Sequence, residues 1–78
     1  MDDLRYTMII EPAQDDEGPY FGGYFPDLPG CGTTGRTLEE LRTNAREALQ
    51  AHIGALRATG QPVPHPSVVV EQVEVEVA

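Results

Sequence analysis

Lysine is absent from this 78-residue chain, cysteine occurs once and histidine twice, and no apolar run approaches the roughly 20 residues of a membrane span. A lone Cys31 forbids an internal disulfide. One thiol with His52 and His65 at scattered positions does not make a structural zinc set. Without lysine there is no phosphate-cradling loop, and Gly22-Gly23 and Gly30-Cys31-Gly32 lack its spacing. The chain opens on Asp2 and Asp3 where a secretory signal would be basic. The expected location is therefore the cytoplasm, with no membrane contact and no cofactor.

What is abundant is negative charge. Thirteen acidic residues against five arginines leave a net charge of −8. Such a chain repels phosphate backbones and anionic lipid and attracts a basic partner. Direct nucleic-acid binding is not expected. Solubility alone also accounts for a charge of this size in a small domain. At this length the expectation is one domain, residues 1–78, with a thin core contributing only about 3–5 kcal/mol. Disulfide and metal being excluded, self-association into a dimer or tetramer is the expected supplement.

Arg5 to Glu11 reads as a strand, Pro12 to Pro19 as an acidic hairpin loop, and Tyr20 to Phe25 as a second strand. In the second strand Tyr20 and Tyr24 alternate with Phe21 and Phe25. Gly22-Gly23 signals a bulge or a close backbone approach. Pro29-Gly30 fits the centre of a type II turn, which returns the chain into a short third strand at Cys31 to Thr34. Thr37-Leu38-Glu39-Glu40 reads as a capping box, with Thr37 receiving the Glu40 amide and the Glu40 carboxylate reaching back to the Thr37 amide. Leu38, Leu41, Ala45, Ala48, Leu49, Ile53 and Leu56 then form one stripe of an amphipathic helix that Gly60 ends in a left-handed cap. Prolines 62, 64 and 66 make a stiff extended strap. Val68 to Val77 alternates as a last strand, Val69, Val73, Val75 and Val77 on one side and Gln72, Glu74 and Glu76 on the other, with Glu71 breaking the pattern. The order is β-β-β-α-β: an α+β fold with one helix on one face of a small, mostly antiparallel sheet.

Catalytic chemistry finds little support, and no enzyme is expected. Cys31 reads as a small strand residue and His65 as solvated. His52 lies within the apolar stripe, either as a buried imidazole with a satisfied ring nitrogen or as a contact across an oligomer or partner interface. Asp15-Asp16-Glu17 reads as a solvated turn rather than a metal site, and Glu39 and Glu40 complement the helix dipole.

The stretch Phe25 to Leu41, FPDLPGCGTTGRTLEEL, together with Tyr20 and Asn44 to Leu49, resembles the HicB-like family of bacterial antitoxins. The family pattern of aromatic strand, Pro-Asp-Leu-Pro-Gly-Cys turn, Gly-x-Thr-x-x-Glu helix start, alanine-rich helix and proline-containing exit is matched in order over nearly the whole chain. The resemblance implies a partial ribonuclease H-like fold that serves as a protein-binding module, neutralising a small basic HicA-type toxin that cleaves messenger RNA. The metal-binding carboxylates of true ribonuclease H enzymes have no counterpart on RYTMII, where no acid precedes Glu11. Many family members continue into a C-terminal DNA-binding segment, whereas Ala78 follows the last predicted strand. A natural stand-alone member and a shortened chain are both compatible with that.

Three functions follow as expectations. The first is an antitoxin whose toxin-facing residues are Asp27, Glu39, Glu40, Glu71, Glu74 and Glu76, chosen as exposed acids. The second is a stand-alone homo-oligomer with contacts at Tyr20, Tyr24, His52, Val73 and Val75. The third is a nuclease dependent on Glu11 or Asp27, which nothing in the residue pattern favours.

Overall fold

Tyr20, Gly22 and Tyr24 alternate with Phe21, Gly23 and Phe25, and this alternation sets which way the sheet faces. The computed structural model describes residues 4–78, so Asp2 and Asp3 lie outside the described residues. β1 (Ile9–Asp15), β2 (Gly18–Tyr24) and β3 (Gly32–Gly35) form an antiparallel meander in the order β1-β2-β3, followed by the helix α1 (Leu38–Ala58). Ile9 lies opposite Tyr24 and Asp15 opposite Gly18 on one side of β2; Gly35 lies opposite Phe21 and Gly32 opposite Tyr24 on the other. A Cβ on Gly23 would stand 3.2 Å from Leu41 Cδ1, which puts Phe21, Gly23 and Phe25 on the helix side and Tyr20, Gly22 and Tyr24 on the open side. The α+β fold with a helix on one face of a small sheet is as the residue pattern led us to expect.

The strand limits differ from the sequence reading. β1 starts four residues later than expected, because its pairing begins at Ile9 opposite Tyr24 and β2 has no residue beyond Tyr24 to partner residues 5–8. It also runs through Pro12 to Asp15, expected as loop, and leaves Asp16-Glu17 as the whole hairpin connection. Pro12 is tolerated because β1 is an edge strand. The register across Gly22-Gly23 is unbroken, so there is no bulge, and it is Gly23 that serves close packing: a Cβ on it would fall 2.7 Å from Met8 Sδ.

The core is built around the turn that joins β2 to β3. Phe25 accepts from the Leu28 amide at 3.0 Å, Leu28 accepts from the Cys31 amide at 3.0 Å, and Phe25 N–H donates to the Cys31 carbonyl at 3.1 Å. Gly30, with φ +84°, takes the position that a type II turn requires to be left-handed. Two successive turns thereby throw Leu28 inward, where none of its surface is exposed. Phe25, Leu28, Cys31 and Ala45 pack together with Tyr6, Met8, Ala48, Leu49 and Leu56 around them. Leu28 lies between Pro26 and Pro29, where no periodicity marks a residue for the core.

α1 begins and ends on local chemistry. Thr37 Oγ1 accepts from the Glu40 amide at 3.0 Å. The Glu40 carboxylate, expected to return to the Thr37 amide, accepts instead from Arg36 N–H at 3.1 Å. The Gln61 amide donates to Leu56 O and the Gly60 amide to Arg57 O, with Gly60 at φ +70°, a Schellman motif. Leu41 and Ala45 of the stripe are buried, whereas Leu38 is exposed. At the helix start Gly35 allows close approach, since a Cβ there would sit 2.5 Å from Leu41 N.

The fourth strand expected at Val68 to Val77 does not form. The strap runs back along the molecule, tied where Tyr6 Oη donates to Pro64 O at 2.6 Å. Beyond Val68 the chain has no strand partner among the described residues and exposes Val69 by 86% and Val73 by 83%. The alternation is that of a strand, but a strand needs a neighbouring edge, and the ties at Pro64 and Ser67 do not lay this segment along one. The radius of gyration, 15.1 Å, exceeds the about 11.5 Å of a compact chain of this length.

Candidate partner-binding surface

The exposed segment, residues 68–78, is an arm with a fixed root. Asp27, in the β2–β3 turn, accepts from the Ser67 amide at 3.0 Å, from Ser67 Oγ at 2.9 Å and from the Val68 amide at 3.2 Å. These bonds, the Ser67 amide foremost, hold the Asp27 carboxyl below the usual carboxylate range. The double turn that buries Leu28 is what presents Asp27 outward to the strap. Asp27, expected to be free for a partner, is thus a clamp within the chain.

The other acids expected at the surface fall into two groups. Glu39 and Glu40 sit in the first turn of α1, at the hairpin end of the sheet, and the Glu40 carboxylate is already engaged by Arg36 N–H. Glu71, Glu74 and Glu76 are exposed along the arm, which leaves from the opposite end. No single patch contains all six. Near the hairpin a further group, unforeseen in the sequence, offsets part of its own charge: Arg36 Nη2 pairs with Asp15 at 2.7 Å and Glu17 at 3.1 Å, and its guanidinium lies 5.5 Å from the Tyr20 ring centre. The hydrogen bond from Arg36 holds Asp15 below its ordinary range and Asp15 in turn pushes Arg36 up. The order of these residues in sequence hides the pairing, since Asp15 and Arg36 are 21 positions apart.

The residues expected at oligomer contacts are likewise dispersed. Tyr20 and Tyr24 lie on the open sheet face, Tyr20 half-buried beneath Arg36 and Tyr24 exposed. His52 is half-buried on α1 beside Gly30, Cys31 and Gly32. Val73 and Val75 are on the arm and uncovered. A chemical role for Cys31 meets an obstacle: its buried thiol donates to the Ala48 carbonyl at 3.8 Å and burial pushes its pKa up, the reverse of what activates a nucleophile. Glu11 is exposed on the open face of β1, away from any grouping of three or more potential metal ligands among the described residues. No described helix is long and apolar enough to cross a membrane.

Residues 6–76 match the model of a family described as a HicB-like antitoxin of a bacterial toxin-antitoxin system. A UPF0150 protein of Thermoplasma acidophilum is 38% identical over 61 residues, covering 78% of this chain and 84% of that protein. A UPF0150 protein of Synechocystis is 36% identical over 74 residues, covering 91% and 86%. Among solved structures, a chain of a HicA3 and HicB3 toxin-antitoxin complex superposes with a TM-score of 0.62 at 41% identity, covering 81% of this chain and 70% of that one.

Proposed function

The chain belongs to the HicB-like antitoxin family, and from that premise we propose that it binds and neutralises a small basic HicA-type toxin. It acts in the cytoplasm as a single, non-catalytic binding domain built on a partial ribonuclease H-like unit, and it holds no cofactor and contacts no nucleic acid itself. The observation that carries this reading is charge. Of the five arginines that oppose thirteen acids, Arg36 is spent within the chain, and Glu39, Glu71, Glu74 and Glu76 stand in solvent. An uncompensated acidic surface speeds encounter with a basic protein and suppresses binding to RNA, the toxin's own substrate.

The toxin-facing set is drawn from Asp27, Glu39, Glu40, Glu71, Glu74 and Glu76. The clamp on Asp27 and the cap on Glu40 leave the other four as its free charge. The test is titration of the purified chain with the small basic protein encoded beside it, followed by light-scattering mass and by ribonuclease activity. A mixed complex in which cleavage stops supports the proposal. A toxin that remains active, or binding that survives reversal of all four free acids, overturns it.

A second reading is favoured by the uncovered valines of the arm: a stand-alone homo-oligomer without a toxin. A solitary gene would favour that reading. A gene for a small basic protein directly alongside would favour the first.

A further inference from the structure

The open face of the sheet carries one arrangement twice, and the chain itself fills the copy nearer the hairpin. There Tyr20 lies opposite Ala13, and Asp15 stands two residues further along β1. Gly35 lies opposite Phe21, so Arg36, the next residue, comes against Tyr20 from the β3 side. Its guanidinium lies 5.5 Å from the ring centre and pairs with Asp15, the nearer of its two carboxylates, at 2.7 Å. Its Nη1 donates to the carbonyls of Gly18 and Pro19 at 3.1 and 3.3 Å. A ring, a carboxylate two places on and a cation delivered from β3 thus satisfy one another.

Four residues along β2 the pattern recurs without its cation. Tyr24 lies opposite Ile9, and Glu11 stands two residues further along β1, as Asp15 does from Ala13. A diagonal neighbour of this kind is about 7–8 Å away, within reach of aromatic and long side chains. The place that Arg36 takes beside Tyr20 is taken beside Tyr24 by Gly32. A Cβ on Gly32 would stand 2.9 Å from the Gly23 carbonyl oxygen, so β3 has no room to supply a cation at this point. Gly22, opposite Glu11, adds no side chain between the two rings. Tyr24 is left 45% exposed and Glu11 exposed, and the ion pairs among the described residues are both made by Arg36. On the turn side the site continues into a cleft of about 450 Å³ lined by Tyr24, Pro26, Pro29 and Gly32.

We infer that the vacant copy receives an arginine side chain of the basic toxin, its guanidinium over the Tyr24 ring and paired with Glu11. That the arginine is the toxin's rests on the proposed function; the site itself rests on the repeat. Ring face and carboxylate attract one cation together, and the planar guanidinium stacks on an aromatic face and pairs bidentately with a carboxylate where a lysine ammonium does not. The methylene stem of an arginine suits the apolar wall that Pro26 and Pro29 give the adjoining cleft. The open sheet face, on the side away from α1, is then a surface that meets the toxin, and Glu11 joins the acids that recognise it.

The test has two arms, both on the full chain. In the first, N-acetylarginine amide is titrated into the isotope-labelled protein and followed by NMR. It is expected to move the Tyr24 ring and Gly32 amide signals and to leave the Tyr20 ring, already covered by Arg36, in place. N-acetylcitrulline amide, the uncharged isostere, is expected to move neither. In Arg36→Ala the arginine probe is expected to move Tyr20 as well. In the second arm, the dissociation constant for the small basic protein encoded beside this chain is measured, with far-UV circular dichroism verifying that each variant folds. Tyr24→Ala and Glu11→Gln are each expected to raise it about tenfold, and Tyr24→Phe, which keeps the ring, to leave it within about twofold. An arginine probe that leaves Tyr24 and Gly32 unmoved, or a citrulline probe that moves them equally, overturns the inference. So does toxin affinity unchanged in both Tyr24→Ala and Glu11→Gln, or self-association of the wild type that Tyr24→Ala abolishes, which would give the face to a second copy. If the arginine probe binds at Tyr24 and the basic protein does not bind the wild type, the cation site stands and the antitoxin proposal fails.

Discussion

Asp27 and Leu28 are neighbours with opposite tasks, and the double turn from Phe25 to Cys31 separates them. Leu28 fills the core with no exposed surface, so Leu28→Ala removes buried methyl groups and leaves a cavity. The expected cost is about 3 kcal/mol. That is most of the stability that a core of this size supplies, and a urea titration is expected to show a much lower midpoint, with a measurable unfolded fraction already present without denaturant. Asp27 faces outward and works by charge. Its carboxyl, like that of Asp15, is held below the ordinary range in the folded state. A depressed folded pKa means that the stabilisation is complete above about pH 4, where the unfolded carboxyl ionises, and is lost as pH falls through the lower folded value. Thermal midpoints are therefore expected to be level from pH 7 to about 5 and to decline below 4. Asp27→Ala is expected to abolish hydrogen-exchange protection of the Ser67 and Val68 amides at neutral pH while leaving the sheet amides protected. Protection that persists in the variant would show that the strap holds the arm without the clamp. At Cys31 burial and the Ala48 carbonyl disfavour the thiolate, so alkylation of the native protein is expected to be at least about tenfold slower than of the urea-unfolded chain.

At the scale of elements, the helix ends are local and the strand limits are not. The Thr37 cap is a single side chain satisfying a single amide at 3.0 Å, and Thr37→Ala is expected to cost about 1 kcal/mol, read as a lower urea midpoint with an unchanged slope. Gly35 is different in kind. An added methyl would stand 2.5 Å from backbone nitrogen of Leu41, which no rotamer change relieves, so Gly35→Ala is expected to cost more than the cap and to loosen the joint between β3 and α1. If Gly35→Ala proves no worse than Thr37→Ala in the same titration, the close approach is not a constraint. The strands depend on partners. Arg5 to Met8 has the composition of a strand and remains unpaired because β2 turns away at Phe25.

At the scale of the whole molecule, charge and the arm are the features that reach beyond the chain. A net charge of −8 implies long-range attraction to a basic partner. The association rate with the proposed toxin is expected to fall on the order of tenfold between low salt and about 0.5 M, while dissociation changes little. Stopped-flow mixing measures both, and a rate indifferent to salt would remove charge as the organising feature of recognition. The radius of gyration of 15.1 Å reflects an arm that the fold of one chain does not cover.

The residues alone determined whatever depends on near neighbours in the chain. The PG turn, the Thr37 cap, the Gly60 Schellman ending, the apolar stripe of α1 and the three-strand meander were all legible, because each rests on contacts within a few positions or on a simple period. The charge balance was legible too. Tertiary structure decided what depends on distant meetings: that Asp27 clamps Ser67 across 40 positions, that Arg36 closes on Asp15 and Glu17, and that Leu28 is core. It also decided the fate of Val68 to Val77. Period-two alternation specifies a face to bury, but pairing needs an edge in reach, and the point at which the strap is clamped determines whether there is one.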